Sequence, residues 1–243
     1  MIGPASGFTA FLGGVGFIVK TPSAWGYALV PAGTALALLC GFGALAYRLA
    51  RQLSDWLMGQ QGGFATASQG VLTVALIAVF LVLAALLAVA LAQPLSGWAL
   101  EAIVRKQERR LTGRCPPEPS FLRSLWIGVR CSLFIILVGG ATTAILFTVS
   151  LLFPPAMVVT IPLKFLQVAW VLAWDLVDYP LGLRGLGIRR RLGWALAHFG
   201  AFTTFGIAWS AVLVIPGLFL LVLPMGVAGA TRMVVAAEGD INT

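Results

Sequence analysis

Long uncharged runs dominate the pattern of apolar and polar positions in this chain of 243 residues. The longest, Leu192 to Thr231, has forty residues without Asp, Glu, Lys or Arg, and Ile215-Pro216-Gly217 interrupts it. As one α-helix it would extend roughly 60 Å, about twice the hydrocarbon thickness of a bilayer. Because proline removes a backbone donor and glycine permits a sharp bend, we predict a helical hairpin that turns at this interruption.

Three further uncharged runs predict the remaining membrane segments. Residues 26–47 and 71–93 are each apolar over enough length for one spanning helix. A third run turns at Pro154-Pro155, so residues 124–177 are predicted to form a first hairpin. The run that turns at Ile215-Pro216-Gly217 predicts a second hairpin over residues 193–235. We therefore expect an all-α integral membrane protein with two long transmembrane helices and two proline-broken helical hairpins. Each hairpin either crosses the bilayer or penetrates it halfway.

Charged residues beside these runs add short amphipathic interfacial helices. In residues 48–60 charged and apolar side chains recur at a spacing suited to the membrane surface. Residues 98–111 form a charged helix that leaves the bilayer, in which Glu101 and Arg105 stand at the favourable i,i+4 spacing. The whole of residues 1–243 is predicted to be a single membrane domain.

Composition and charge agree with this arrangement. The chain is 60% hydrophobic and 10% charged, which excludes a soluble domain. Its net charge of +8 arises beside apolar spans, so anionic lipid is a better partner for it than nucleic acid, and we expect no nucleic-acid binding. If both broken runs are hairpins, thirteen of the sixteen Lys and Arg residues lie on one side of the membrane. The positive-inside rule then places both termini in the cytoplasm.

Polar residues inside the apolar runs are candidates to line a solute path. On one helix, Lys164, Gln167, Asp175 and Asp178 fall on a single stripe, which should face a protein interior or a wet cavity. Alternatively, Lys164 extends to an interface and the two aspartates only mark the helix end. His198, the only histidine, either titrates and couples flux to protons or is a hydrogen-bonded structural residue.

Catalytic and metal-binding patterns are missing from the sequence. One histidine, three cysteines and eight carboxylates form no metal-ligand spacing and no catalytic motif, so we predict no enzyme, no metal and no cofactor. A helix start is predicted at Thr21-Pro22-Ser23, where free backbone N–H groups and the helix dipole favour an oxyanion. Every helix start shares that property, so it is a weak signal alone.

Several motifs resemble one membrane family over nearly the whole chain. In the C-terminal half they are Asp178-Tyr179-Pro180, His198-Phe199-Gly200, Ile215-Pro216 and the stretch from Leu223 to Thr231. In the N-terminal half they are the glycines from Gly7 to Gly16, Pro22, Pro31 and Gln93-Pro94-Leu95 before a charged helix. The chain thus resembles the CysZ-type sulfate permease and etoposide-induced membrane protein superfamily.

This resemblance implies a bacterial inner-membrane protein that forms a homo-oligomer in the lipid bilayer and takes up sulfate without its own ATPase domain. The family's sulfate site is a Gly-Leu-Arg-Arg stretch at the start of the first long helix. The matching substrate-binding candidates here are Pro22, Ser23, Ala24, Trp25 and Gly26. They contain no arginine, so the charge-assisted bonds of a strong anion site are missing from this stretch.

The leading functional hypothesis is passive or proton-linked permeation of a small anion such as sulfate. The alternative is a membrane scaffold or stress-response protein that binds lipid or partner proteins without transport.

Overall fold

A computed structural model describes residues 2–58, 66–113, 121–214 and 218–239. The described residues form α-helices and one 3₁₀ turn, and they contain no strand. In chain order the helices are α1 Pro4–Lys20, α2 Pro22–Met58, α3 Thr66–Thr112, α4 Phe121–Leu152, α5 Met157–Leu183, α6 Ile188–Ala197, α7 Phe199–Val212 and α8 Leu218–Glu238. The all-helical fold class is thereby confirmed.

The two long helices extend well beyond the apolar runs that predicted them. α2 has 37 residues and α3 has 47, so the segments expected as separate amphipathic helices continue α2 and α3 without a break. The charged residues of these segments are good helix formers, which explains why the helices do not end where the apolar runs end. Within the described chain four helical stretches are long and apolar enough to span a membrane: Pro22–Leu57, Gly70–Ala88, Leu133–Leu152 and Pro154–Leu183.

The first predicted hairpin is formed by α4 and α5. Pro154 to Ala156 make a 3₁₀ turn between the two helices. Interhelical contacts then join residues progressively farther from the turn: Ser150 with Thr160, Thr143 with Gln167 and Phe134 with Trp174. This order shows antiparallel arms that turn at the proline pair, as the sequence predicted.

The second predicted hairpin, residues 193–235, includes the end of the short helix α6 as well as α7 and α8. Residues 192 to 197 belong to the short helix α6, and the chain then bends by 93° at His198 before α7 begins. His198 has φ −117° and ψ 31°, which lies outside the helical region and ends α6. The predicted turn at Ile215-Pro216-Gly217 lies outside the described residues.

Helix α1 packs against both α7 and α8, which contact each other only sparsely. Glycines make this close approach possible. A Cβ atom at Gly7 would collide with the carbonyl oxygen of Ala201 in α7, and one at Gly14 would lie 2.6 Å from the amide nitrogen of Gly229 in α8. Small residues let helix backbones approach in this way in membrane proteins. Helix α5 also packs against α7 and α8: Gly206 of α7 lies against Ala169 of α5, and Gly226 of α8 lies against Leu176 of α5.

The chain divides into two compact units. The first comprises residues 1–28 and 99–243 and contains the packed helices α1, α5, α7 and α8 together with the predicted site residues. The second, residues 29–98, buries alanines on both of its helices, and the Ser54 hydroxyl is hydrogen-bonded to that of Thr73. A single domain over residues 1–243 remains a prediction.

Candidate functional site

The start of α2 lies where the sequence predicts it. The chain leaves α1 at Thr21, and Pro22 is the first residue of α2. Proline suits this position because its missing N–H would have no helical partner there. The amide of Ala24 donates to the carbonyl oxygen of Thr21 over 2.9 Å, and the preceding residue, Ser23, is exposed.

Two cations from the last turns of α3 reach this helix start. Lys106 donates from Nζ to the carbonyl oxygen of Ser23. Arg110 donates from Nη1 to the hydroxyl oxygen of Thr21 over 3.1 Å. They are four residues apart and therefore project from one face of α3. The sequence places no cation in the motif itself, but the fold supplies two from positions 83 and 89 residues away.

Aromatic side chains hold both cations in place. The Lys106 ammonium lies 4.7 Å from the ring centre of Tyr27, and the Arg110 guanidinium lies 5.7 Å from that of Phe17. Such cation–π contacts are electrostatically favourable and leave N–H donors of the cation available. Trp25, a predicted binding residue, instead donates its indole N–H to the carbonyl oxygen of Ile18 over 2.8 Å. That bond ties the first turn of α2 to the end of α1.

Lys164 and Gln167, two of the five predicted lining residues, lie together on the face of α5 that meets α4. Lys164 Nζ donates to Ser150 Oγ over 3.0 Å, and its ammonium lies 5.7 Å from the ring centre of Phe147. Gln167 Nε2 donates to the Gly139 carbonyl over 2.6 Å and lies 2.7 Å from the Thr143 hydroxyl. Lys164 and Gln167 therefore lie between the two arms of the first hairpin, whereas the stripe as a whole does not.

The other three predicted lining residues have different surroundings. Asp178 forms an ion pair with Arg191, whose side chain is 2% exposed and also donates to the carbonyl oxygen of Leu186 over 2.7 Å. His198 lies at the bend, 2.9 Å from the Trp194 carbonyl through Nδ1. Asp175 is half-buried farther along α5. These residues do not converge with Lys164 on one site.

Arg184 lies in a cluster that the sequence did not indicate. Through Nε and Nη2 it binds both carboxylate oxygens of Glu238, at 2.6 and 2.8 Å, and through Nη1 and Nη2 both oxygens of Glu108, at 3.2 and 3.1 Å. Gly185 follows with φ +65° and ends α5 in the left-handed conformation that glycine adopts without strain. Burial favours the neutral guanidine, but the bonds and charges of Glu238 and Glu108 together raise the pKa of Arg184.

The contacts of Lys106, Arg110 and Arg184 span large sequence separations, so helical periodicity alone could not find them. One available signal was the i,i+4 pair of Lys106 and Arg110 on the face of α3 opposite Glu108. That pattern predicts a basic face on α3 but does not identify its neighbour.

Together these features define an all-helical membrane protein with a cationic cluster at the start of a long apolar helix. A family profile described as sulfate transporter CysZ/etoposide-induced protein 2.4 matches residues 10–224, and this family fits that class. The chain belongs to that family and is a multi-pass membrane protein.

Curated relatives match a shorter part of the chain. Sulfate transporter CysZ of Pseudomonas paraeruginosa is 34% identical over 87 residues, which are 36% of this chain and 35% of the relative. The proteins of the same name from Pseudomonas syringae pv. tomato and Pseudomonas fluorescens are each 34% identical, over 86 and 89 residues. Those matches cover 35% and 37% of this chain, and 34% and 36% of the relatives. The chain thus covers about a third of the length of these relatives.

Proposed function

We propose that this protein transports sulfate across the bacterial inner membrane and first binds it at the start of α2. The observation that carries the proposal is the convergence of Lys106 and Arg110 on the first turn of α2. A helix N-terminus offers N–H donors and a positive dipole end, and charge-assisted donors strengthen the binding of an oxyanion. The names of the relatives support sulfate as the anion.

Transport in this proposal is passive permeation with no covalent step, and a homo-oligomer in the bilayer supports the path. We place both termini in the cytoplasm on the strength of the basic residues beside the apolar runs. Lys164 remains our first candidate to line the path, because its bond to Ser150 uses one of the three N–H donors of its ammonium group. Gln167 lies beside it, whereas the ion pair of Asp178 and the backbone contact of His198 suggest supporting roles for those two residues.

The proposal is tested by sulfate uptake into sealed proteoliposomes. Radiolabelled sulfate should enter faster than into protein-free vesicles, and unlabelled sulfate should compete better than nitrate or chloride. Lys164→Ala should lower the rate, and Asp178→Ala should act through loss of folded protein. If well-formed proteoliposomes show no sulfate-dependent flux, the transport proposal fails and the alternative of a non-transporting scaffold regains support.

A further inference from the structure

Arg184 joins the ends of three helices that are distant in sequence. It belongs to the end of α5, and its two carboxylate partners, Glu108 and Glu238, lie near the ends of α3 and α8. Both edges of its guanidinium are occupied, which is the geometry of paired two-point hydrogen bonding. The Arg184 and Glu108 side chains are 16% and 12% exposed, whereas Glu238 is 41% exposed.

Glu108 connects this cluster to the cations at the start of α2. It lies two residues from both Lys106 and Arg110 and so projects from the opposite face of the same two turns of α3. A helix with its side chains is only about 10–12 Å across, so a charge on one face interacts electrostatically with an anion bound at the opposite face. Without Arg184, two carboxylates would act on the approach of an oxyanion to Lys106 and Arg110.

We propose that Arg184 is a charge-balancing residue for the sulfate site: its positive charge offsets one of the two negative charges of Glu108 and Glu238, and so reduces the extent to which their field weakens anion binding at the start of α2. This inference rests on the proposed sulfate function. Arg184 itself offers no free edge to an anion among the described contacts, so its role is indirect.

Two substitutions that break the same cluster separate this role from a structural one. Arg184→Gln removes a positive charge and should weaken sulfate binding roughly fivefold, as expected for a unit charge acting about 10 Å away in a partly aqueous environment. Glu238→Gln removes a negative charge and should strengthen binding by a similar factor. A purely structural role predicts that both variants weaken binding, because both lose hydrogen bonds between α5 and α8.

The measurement is sulfate affinity by calorimetry on folded, monodisperse protein in detergent, at low and at high ionic strength. We expect opposite shifts for Arg184→Gln and Glu238→Gln, both shrinking at high salt because mobile ions screen the field. Shifts of the same sign, or shifts that persist in high salt, would overturn the charge-balancing role.

A second readout does not require sulfate. The rate at which an anionic amine reagent labels Lys106, relative to a neutral reagent of the same chemistry, should fall in Arg184→Gln and rise in Glu238→Gln. If the unchanged protein binds no sulfate but the labelling ratios change in this way, the proposed function fails and the charge-balancing role stands. If the ratios coincide, the charge-balancing role fails whatever the sulfate result.

Discussion

Adding a methyl group at Gly14 should separate α1 from α8. The new Cβ atom would lie 2.6 Å from the amide nitrogen and 2.8 Å from the Cα of Gly229. These are backbone atoms, which cannot rotate away, so the cost should reach the upper part of the range of about 1–3 kcal/mol for overpacking. Replacing a helical glycine by alanine recovers about 0.5–1 kcal/mol. Gly14→Ala should therefore lose about 2 kcal/mol of unfolding free energy.

The same substitution two residues along the helix is a matched control. A Cβ atom at Gly16 meets nothing within 4 Å, so Gly16→Ala should gain about 0.5–1 kcal/mol from helix propensity alone. Equilibrium unfolding in detergent micelles, followed by tryptophan fluorescence, measures both variants against the unchanged protein. Equal stabilities for Gly14→Ala and Gly16→Ala would refute the close packing of α1 on α8.

Three further substitutions test other contacts. Asp178→Asn leaves the buried Arg191 without its countercharge and should cost about 3–5 kcal/mol in thermal or chemical unfolding; a loss below 1 kcal/mol would contradict the ion pair. Gln167→Leu removes the hydrogen bonds to α4 and should cost about 0.5–1.5 kcal/mol, the net contribution of a typical hydrogen bond, because the partly buried Gly139 carbonyl keeps the Thr143 hydroxyl as a donor; unchanged stability would argue against these contacts between α5 and α4. Burial raises the pKa of Glu101 above its ordinary 4.5, with Arg105 opposing. Protonated Glu101 therefore stabilises the fold at pH values below its ordinary pKa of 4.5, and this stabilisation is lost as the pH rises through the higher pKa of the folded state. Glu101→Gln should become more stable relative to the unchanged protein across that window, and parallel pH profiles would contradict this reasoning.

Apolar runs and the adjacent prolines Pro154-Pro155 were enough to predict the first hairpin. Two adjacent prolines combine a missing donor with a clash against the preceding turn, so a break there is strongly favoured. Isolated prolines are less decisive: α2 continues through Pro31 and α5 through Pro162. In a membrane, neighbouring groups can satisfy the freed carbonyls of such helices.

The sequence pattern could not predict contacts between segments that are distant in sequence. The bend at His198 has no proline or glycine at the bend position, and the uncharged run that starts at Leu192 continues through it. The cations at the start of α2 come from α3, and no local motif encodes that pairing. Periodicity reports which face of one helix is polar, whereas the choice of neighbour depends on the whole tertiary arrangement.

The most direct test of the central claim is the sulfate affinity of two single-charge variants of α3. Lys106→Met removes the ammonium group at the start of α2, whereas Arg109→Met removes an equal charge from an exposed position on the same helix. Because a charge-assisted hydrogen bond contributes about 1.5–3 kcal/mol, Lys106→Met should weaken sulfate binding by roughly tenfold or more. Arg109→Met should change the affinity much less. Equal affinities for the two variants, in protein that remains folded, would contradict an anion site formed by Lys106 at the start of α2.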